Sequence, residues 1–539
     1  MTPPSRPPPP RKPAAAPASE QAGDTAPNRF RAARSATLVA VAILVSKLVG
    51  LVRQRVTAHF FGTGLFADVI AAAFRVGNVA QNLLGEGTLS ATFIPIYARL
   101  REEGKDDEAT AFARSALGLL GVAVALFTAV GIALAPQLTL VVAAGFDPDK
   151  LAVTVRLVRW LFPMTGLLVL CAWALGVLNA HRRFFVPYVA PVIWSTAQIC
   201  ALVVGGGWLA YADEPLALLL AGGALGGAAL ELGFLMWRAR RHVGTVRAQF
   251  DYRSEPIRKA LRRLPHVLLG RGVIQISGLV DTLLVSFLAT GANAVFGYAQ
   301  TLYLLPMSLL GTGEAAVSLT EMSRDTAQQN DEETLHRRLR ARLTMVFTRV
   351  GTLAVPAMVV LIGFGSELIT VLLRTGRFDT TSTLRVASAV RIYGFALLAN
   401  AGVRQLATTF FALGETRLPA RLAVVRMVMS ALLAVSLMGR MGVDGVVLGA
   451  VIAGWLEVVL LGRALHRRLG GLGLGAVPWF RLMALAAATA GVPSAAAWAL
   501  PAAWRAQGAG SLAVLVAVGL VFALTAPTLG LIELRRRRP

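Results

Sequence analysis

The chain has 539 residues, of which 55% are hydrophobic and only 15% are charged, and its mean hydropathy is +0.63. Soluble domains carry about 25% charged residues, so this composition excludes a string of soluble domains and predicts a protein that buries its apolar surface in lipid. The formal net charge of +24 would suggest nucleic acid as the partner of a soluble protein, but in a membrane protein it indicates cytoplasmic loops rich in Lys and Arg. Cys171 and Cys200 both lie in apolar runs, which argues against a disulfide scaffold or a zinc site.

The first segment in chain order, residues 1–34, is rich in proline and basic residues, and this composition predicts a disordered cytoplasmic tail. Fourteen apolar runs follow, each long enough for a helix that crosses a membrane. The predicted spans cover residues 35–61, 66–98, 109–135, 152–178, 186–210, 215–237, 262–289, 294–322, 344–373, 382–412, 418–439, 444–465, 477–500 and 509–532. The sequence therefore predicts an all-α polytopic membrane protein with about 14 transmembrane helices.

Basic residues are distributed unequally between the two sides of this topology. The tails and loops on the side of the N-terminus contain 33 Lys and Arg residues, whereas the opposite loops contain five. Because cytoplasmic loops carry the excess of Lys and Arg, this ratio predicts that both termini are cytoplasmic and that the number of spans is even. The predicted location is the cytoplasmic (inner) membrane.

Two pairs of similar segments indicate an internal repeat. Residues 60–64 and 287–291 end spans 1 and 7. Residues 179–187 join spans 4 and 5, and residues 411–419 join spans 10 and 11. The common offset predicts two six-span lobes of the same orientation around a central site, as in alternating-access transporters. The predicted domains are an N-lobe (35–240), a basic cytoplasmic linker (241–261), a C-lobe (262–468), two added spans (469–532) and a basic cytoplasmic tail (533–539).

Polar and ionisable residues form one stripe on each of the first two spans. A charged residue at mid-span costs about 2.5–3.5 kcal/mol on insertion scales, so such residues indicate function. The stripes are Ser46, Gly50, Arg53 and Thr57 with Lys47 beside them, and Asp68, Arg75, Asn82 and Glu86 with Asn78 beside them. They predict either an ion-pair network that joins the two helices or a water-filled cavity for an anionic head group. We favour the cavity because the cations of span 1 outnumber the acids near them.

Spans 7 and 8 carry matching stripes, as a cavity between two lobes requires. The stripes are Arg271, Gln275, Gly278 and Thr282 with Asp281 beside them, and Gln300, Gly311, Glu314 and Ser318. Asp281 and Glu314 are candidates for binding a coupling Na⁺ ion or proton, although pairing with Arg271 is an alternative. We find no GxxxxGK[ST], HExxH, paired CxxC or GxSxG motif, so we expect a transporter without a metal or organic cofactor rather than an enzyme.

Several segments of the first two spans carry a resemblance to a known family. They are residues 46–53 (SKLVGLVR), 61–64 (FGTG), 67–68 (AD), 73–78 (AFRVGN) and 85–95 (GEGTLSATFIP), joined by Gln275-Ile276-Ser277 and the 179–187 turn. The chain resembles the MurJ/MviN lipid II flippases of the multidrug/oligosaccharidyl-lipid/polysaccharide exporter (MOP) superfamily. The resemblance extends over about residues 35–530.

This resemblance implies two six-helix lobes around a cationic cavity, and a groove for a polyprenyl tail formed by spans 13 and 14. Its substrate would be the undecaprenyl-diphosphate-linked peptidoglycan precursor, lipid II. The positions that match residues used by the family are Arg53, Asp68, Asn78 and Glu86. The chain departs from the family where an arginine is usual, at Lys47, Gln81 and Thr301, and where family members are usually uncharged, at Arg271 and Glu314.

The sequence thus predicts a flippase that moves lipid II from the inner to the outer leaflet by alternating access. The predicted substrate-binding residues are Lys47, Arg53, Asp68, Arg75, Asn78, Asn82, Glu86, Arg271 and Gln275. The expected partners are the lipid substrate and the membrane, without nucleic acid, and the drive is the membrane potential or a Na⁺ or H⁺ gradient. The alternatives are a flippase for another polyprenyl-diphosphate-linked glycan and a drug/cation antiporter of the same superfamily. A membrane glycosyltransferase would need a catalytic carboxylate on a large external loop, and the sequence contains none.

Overall fold

The computed structural model describes residues 26–85, 89, 92–181, 183, 185–244, 249–328, 331–499 and 510–520. Within these ranges it leaves out the side chains of residues 26–40, 266, 269–274, 309–321, 323–325, 327–328, 496–497 and 499. The described part of the chain is almost entirely helical and contains no β-strand, since its single β-bridge joins Thr375 to Phe378 in a turn.

The first half of the chain folds into nine helices. They are α1 (Ala26–Phe61), α2 (Leu65–Leu84), α3 (Ile94–Glu102), α4 (Asp106–Ala133), α5 (Ala135–Ala143), α6 (Pro148–Ala180), α7 (Phe185–Val189), α8 (Pro191–Leu202) and α9 (Asp213–Val243). A π-helical turn, Val203–Trp208, continues α8. Local sequence sets several of these boundaries: Asp147 caps α6 by accepting a hydrogen bond from the backbone N–H of Lys150 at 2.9 Å, and Pro148 occupies the first turn.

The second half contributes nine more helices among the described residues. They are α10 (Glu255–Ser286), α11 (Ala292–Gln328), α12 (Glu332–Gly363), α13 (Gly365–Leu372), α14 (Thr380–Ala412), α15 (Arg417–Met441), α16 (Val443–Leu469), α17 (Trp479–Ala499) and α18 (Gly510–Leu520). Aspartates again cap helices, because Asp331 and Asp379 accept backbone hydrogen bonds at the starts of α12 and α14.

The predicted spans coincide with helices in most places, and five differences need correction. Span 5 (186–210) consists of α7, α8 and a π-helical turn. Span 2 (66–98) is not one helix, because α2 ends at Leu84 and helix resumes with α3. Span 9 (344–373) is divided at Phe364 into α12 and α13. Helix α1 begins at Ala26, inside the predicted disordered tail 1–34, whose residues 1–25 lie outside the described part. Helix α10 begins at Glu255, inside the predicted linker 241–261.

Eight helices of the described chain are long and apolar enough to cross a membrane. They are α4, α6, the continuous segment of α7, α8 and the π-helical turn (Phe185–Trp208), α9, α12, α14, α15 and α16. The chain is therefore an all-α protein with multiple membrane spans. The number of fourteen spans stays a prediction.

Each half is organised around one central helix. In the first half, α6 packs against α2, α4 and α9, and 78% of its apolar window is buried inside the protein. In the second half, α14 packs against α11, α12 and α16, and 61% of its window is buried. These are the highest values among the eight spans, and α6 and α14 are predicted spans 4 and 10, six spans apart. The equivalent placement agrees with the predicted repeat. We call α1–α9 the N-lobe and α11–α16 the C-lobe.

Helix α10 lies between the two lobes. It packs against α2 and α5 of the N-lobe and against α11 and α15 of the C-lobe. Helix α11 also contacts α2 directly. The lobes therefore meet along α2, α10 and α11, which carry three of the four polar stripes found in the sequence.

Candidate functional site

A polar cavity lies between the lobes and has a volume of about 320 Å³. Helices α1, α2 and α8 form its N-lobe wall, and α10 and α11 form the opposite wall. The polar residues that line it are Arg53, Gln54, Thr57, Arg75, Asn78, Trp194, Gln198, Thr282, Asn293, Tyr298, Gln300 and Thr301. This volume is at the lower end of the range of small-ligand pockets, so the cavity can hold a phosphate-sized head group.

Arg53 is held on the N-lobe wall by neutral partners. Its guanidinium carbon lies 4.8 Å from the ring centroid of Trp194, in a cation–π contact. Its Nη1 donates to Oε1 of Gln198 at 3.1 Å, and its buried Nε has no hydrogen-bond partner. Trp194 and Gln198 are four residues apart on α8, so they present one face to Arg53. Among the described residues, no carboxylate forms an ion pair with Arg53.

Arg75 reaches across the interface from α2. Its Nη1 donates to Oε1 of Gln300 at 3.3 Å, and its Nε is buried without a partner. The guanidinium passes directly over Gly278, where a Cβ would lie 1.8 Å from Nη2. Asp281 lies within electrostatic range of Arg75, but within the described chain the two form no ion pair closer than 4.0 Å. Arg75 is thus a second cation bonded to a neutral amide.

Unsatisfied polar groups are concentrated at this cavity. Of the nine buried side-chain atoms in the described residues that lack a partner, five belong to four lining residues. These residues are Arg53, Arg75, Trp194 and Asn293, and Asn293 leaves both amide atoms unbonded. Buried polar groups are normally hydrogen-bonded, so a cluster of free donors indicates a site that water or a ligand completes. Two guanidinium groups and an indole N–H favour an anionic ligand.

Asp68 does not line this cavity, in contrast to the prediction that it binds substrate there. It is 1% exposed and accepts a hydrogen bond from Nζ of Lys150 at 2.7 Å. Its two oxygens also accept the backbone N–H groups of Gly291 at 2.6 Å and Ala294 at 2.8 Å, at the start of α11. The carboxylate of the N-lobe therefore caps the first turn of a C-lobe helix. Asp68 is thus in an ion pair, but with Lys150 of α6 and not in a network that joins the first two spans.

Further contacts join the lobes around Asp68. The backbone N–H of Arg377 donates to the carbonyl of His59 at 2.8 Å, and Tyr298 donates to the carbonyl of Gly62 at 3.1 Å. The hydroxyls of Thr63 and Ser382 lie 2.8 Å apart. We call this region, formed by residues 59–68, 145–150, 286–298 and 375–382, the closed end. In the predicted topology, the loops in this region, which join spans 1 and 2, 3 and 4, 7 and 8, and 9 and 10, all lie on the side of the membrane opposite the termini.

The structure brings part of the predicted set together. Arg53, Arg75 and Asn78 line the cavity, and Asn82 donates to Gln275 at 3.4 Å across the interface beside it. Lys47 is exposed on α1 and does not line the cavity. Asp281 is half-buried on α10 within electrostatic range of Arg75 and Arg426. Glu86 and the side chains of Arg271 and Glu314 lie outside the described residues.

Sequence reasoning missed several polar residues of this region, including Gln54 and Tyr298, which line the cavity. Trp194, Gln198 and Asn293 line the cavity, and Lys150 pairs with Asp68. Trp194 and Gln198 stand four apart in an otherwise apolar span, a spacing that could have marked a polar face. Lys150 is one of the five basic residues of the loops opposite the termini, and no local pattern connects it with a residue 82 positions earlier.

The fold agrees with those of solved transporters. A lipid II flippase MurJ in an inward closed conformation matches with a TM-score of 0.72 and 19% identity, over 92% of this chain and 98% of that one. An inward-facing multidrug resistance transporter of the MATE family, in the MOP superfamily, matches with a TM-score of 0.65 and 17% identity, over 80% of this chain and 98% of that one. The chain thus shares the fold of these solved transporters, with two helical lobes around a central cavity that is closed at one end.

The family follows from the sequence comparisons. The family described as "Lipid II flippase MurJ" matches residues 57–519. A probable lipid II flippase MurJ from Rhizobium tropici is 30% identical over 434 residues, which make up 79% of each chain. The chain belongs to the MurJ lipid II flippase family, as the residues of the first two spans predicted. The family name describes a transporter of a lipid.

Proposed function

We propose that this protein flips the undecaprenyl-diphosphate-linked peptidoglycan precursor lipid II from the inner to the outer leaflet of the cytoplasmic membrane. The diphosphate and sugar head group passes through the cavity between the lobes, while the polyprenyl tail stays in lipid. Family membership and the name of the Rhizobium tropici relative support this substrate. The cavity supports it independently, through its charge.

The observation that carries the proposal is a pair of cations that form no ion pair within the described residues. Within the described residues, Arg53 and Arg75 are bonded only to the neutral amides of Gln198 and Gln300. A charged residue at this depth costs several kcal/mol unless it is compensated, and a diphosphate supplies both negative charge and acceptor oxygens. Thr301 lines the same cavity at a position where the resemblance leads us to expect a further arginine. This chain therefore holds the diphosphate with fewer fixed charges than its family.

The closed end gives the proposed transport cycle its direction. The alternation of basic loops predicts cytoplasmic termini, so in this proposal the closed end faces the outside and the structure represents a state closed to that side. Lipid II enters the cavity from the inner leaflet in this state. Separation of the lobes at Asp68, Thr63 and Arg377 then releases the head group to the outer leaflet. The rocking of repeated lobes about a central site is the general form of this mechanism.

The membrane potential supplies part of the driving force. Moving one negative charge out of a negative interior gains about 2.3 kcal/mol per 100 mV, and a diphosphate carries at least one such charge. Asp281 and Glu314 remain the proposed positions for a coupling Na⁺ ion or proton. Asp281 has Arg75 and Arg426 within electrostatic range, so an anion bound in the cavity would change the electrostatic potential at its carboxylate. No organic cofactor enters this scheme.

The test is lipid II translocation by the full-length protein in proteoliposomes. We expect Arg53→Gln and Arg75→Gln each to reduce the rate at least tenfold, because each removes a charge-assisted contact worth about 1.5–3 kcal/mol. Arg53→Lys should keep part of the activity, since it keeps the charge and loses the planar fork. Arg156→Gln is the matched control, because Arg156 pairs with Glu214 on an exposed surface, away from the cavity.

The same assay separates the alternatives. Unchanged translocation in a folded Arg53→Gln/Arg75→Gln protein would overturn the cationic-cavity mechanism. Faster translocation of another polyprenyl-diphosphate-linked glycan than of lipid II would move the assignment to that substrate. A drug/cation antiporter would bind cationic drugs in the cavity, and the fixed positive charge of Arg53 and Arg75 disfavours such ligands.

A further inference from the structure

A second polar pocket lies at the opposite end of the N-lobe from Asp68. It has a volume of about 240 Å³ and shares no lining residue with the central cavity. Its lining residues are Tyr97, Arg101, Asp106, Ala109, Thr110 and His242. They come from α3, from the first turn of α4 and from the last turn of α9, all of which the charge distribution places at the cytoplasmic side.

Arg101 is fixed in this pocket by a neutral histidine. Its Nη1 lies 2.7 and 2.8 Å from the two ring nitrogens of His181, which directly follows α6, and Tyr97 Oη lies 3.1 Å from Nε2. Because a guanidinium only donates, one ring nitrogen of His181 must accept, so the imidazole is neutral. Burial lowers the pKa of His181 to about 4, and the nearby charges of His242 and Arg101 add to this effect. The ring stacks on that of His242 with centroids 4.0 Å apart.

The pocket carries an excess of positive charge. Four arginines lie within electrostatic range of the two stacked imidazoles: Arg101, Arg183, Arg238 and Arg241. Within the described part of the chain, the one carboxylate within 4 Å of these six groups is that of Asp106, whose Oδ1 lies 3.6 Å from Nε of Arg101. The Asp106 side chain is 71% exposed, so water screens its charge. Guanidinium, imidazole and hydroxyl groups in one pocket are the donors that an anion requires.

The position of the pocket in the membrane indicates the source of this anion. Trp237 precedes the cluster on α9 and is 41% exposed, and the guanidinium carbons of Arg238, Arg240 and Arg241 lie 5.1–6.0 Å from its ring centroid. Exposed tryptophans next to basic residues are typical of the level of the lipid head groups. Phosphate groups of the inner leaflet lie at this level, where basic clusters recognise anionic lipids.

We propose that this pocket binds the phosphate group of an anionic phospholipid of the inner leaflet, at a site separate from the central cavity. Arg101 and His242 donate to the phosphate oxygens, and the hydroxyls of Tyr97 and Thr110 complete the contacts. The volume accommodates a phosphate with part of its glycerol, while the acyl chains stay in the bilayer. The site does not depend on which substrate the central cavity carries.

The test is the retention of phosphatidylglycerol by the delipidated full-length protein, titrated in detergent and measured by native mass spectrometry. We expect the protein to retain phosphatidylglycerol in preference to phosphatidylcholine. Arg101→Gln/His242→Gln should weaken this retention about tenfold, because it removes charge-assisted hydrogen bonds. The single variant Arg101→Lys should retain more phosphatidylglycerol than the double variant, because it keeps the positive charge. Arg337→Gln is the matched control, since Arg337 is an exposed arginine of α12 in the C-lobe, paired with Glu333.

Two results would overturn the proposal. Equal retention of phosphatidylglycerol by the double variant and by the wild-type protein would show that the pocket is not the binding site. Binding of inorganic pyrophosphate that depends on Arg101 and His242, without any retention of phosphatidylglycerol, would assign the pocket to a soluble phosphate compound and remove the lipid. Lipid II translocation, measured in parallel, reports on Arg53 and Arg75 and keeps the two proposals separable.

Discussion

Gly278 determines where the guanidinium of Arg75 can lie. A Cβ at this position of α10 would stand 1.8 Å from Nη2 and 2.9 Å from Cζ of Arg75. The end of a long side chain can move, so we expect Gly278→Ala to displace the guanidinium at little cost in stability. Because the displaced cation no longer faces the cavity as before, lipid II translocation in proteoliposomes should fall several-fold.

Gly297 provides the matched control for this substitution. It lines the same cavity from α11, and a Cβ there would meet only Ala71 Cβ, at 3.8 Å. Gly297→Ala should therefore leave translocation close to that of the wild-type protein. Equal effects of the two substitutions would show that the position of Arg75 does not matter.

His181 makes the stability of the N-lobe depend on pH. Its pKa is lowered to about 4 in the folded protein by burial and by nearby cationic groups, whereas an unfolded histidine has a pKa of about 6.5. As the pH falls from about 6.5 to about 4, His181 binds a proton in the unfolded chain but not in the folded chain. The free energy of unfolding therefore decreases. His181→Gln removes this uptake. We expect its melting temperature in phosphate-free detergent to fall less between pH 7.5 and pH 5 than that of the wild-type protein. An equal fall in the two proteins would contradict this role.

The sequence identified individual cavity residues where the chemistry is local. Arg53, Arg75 and Asn78 were predicted from their stripes, and all three line the cavity. Asp68 was placed in the same stripe, but its partners Lys150, Gly291 and Ala294 come from distant parts of the chain. Helical periodicity reports which face of one helix is polar, and it does not report which partner that face meets.

At the scale of elements, the start of α11 depends on the N-lobe. The Asp68 carboxylate accepts backbone N–H groups there and also pairs with Lys150, which is 4% exposed and whose Nζ lies 3.8 Å from the ring centroid of Phe146. Removing one partner of a buried ion pair costs about 3–5 kcal/mol. We therefore expect Asp68→Asn to destabilise the closed end. Spin labels at the exposed positions Leu65 and Leu384 should then show a longer interlobe distance by electron paramagnetic resonance.

Two further variants test whether the buried charge is the cause. Asp68→Asn/Lys150→Met removes both charges and should partly restore the wild-type distance distribution. Asp213→Asn breaks the pair with Arg377, in which both side chains are 54% exposed, and exposed pairs contribute only about 0–1 kcal/mol. It should leave the distribution unchanged. A wild-type distribution in Asp68→Asn would remove Asp68 from the closure mechanism.

Span 2 shows what hydropathy leaves undetermined about an element. Residues 66–98 are apolar enough to be predicted as one helix, yet α2 ends at Leu84, because the backbone of Gly85 leaves the helical region with φ −82° and ψ −133°. Spans without such a glycine or an internal turn, such as α6 and α14, agree with prediction to within a few residues. Apolar content therefore locates a span, whereas the backbone conformation at a glycine such as Gly85 decides whether the helix continues.

At the scale of the whole molecule, the internal repeat determines the two-lobed architecture, and the contacts between the lobes determine which end of the cavity is closed. The equivalent central positions of α6 and α14 agree with the offset of six spans that the paired segments indicated. The contacts that hold the lobes together at the closed end use loops, turns and backbone carbonyls, such as those of His59 and Gly62, which carry no periodic signal. The two-lobed arrangement could thus be predicted, whereas its closure at one end required the structure.

Alternating access requires the closed end to open during each cycle. The hydroxyls of Thr63 and Ser382 lie 2.8 Å apart across the lobes, so cysteines in their place are within reach of a disulfide. We expect Thr63→Cys/Ser382→Cys to lose lipid II translocation in proteoliposomes when oxidised and to recover it when reduced. Cys200→Ser should be included because Cys200 is exposed, whereas Cys171 is buried. Each single cysteine variant, treated with the same oxidant, is the control and should remain active. Full activity in a completely cross-linked protein would mean that the substrate crosses without separation of the lobes at this end, and would exclude the rocking cycle.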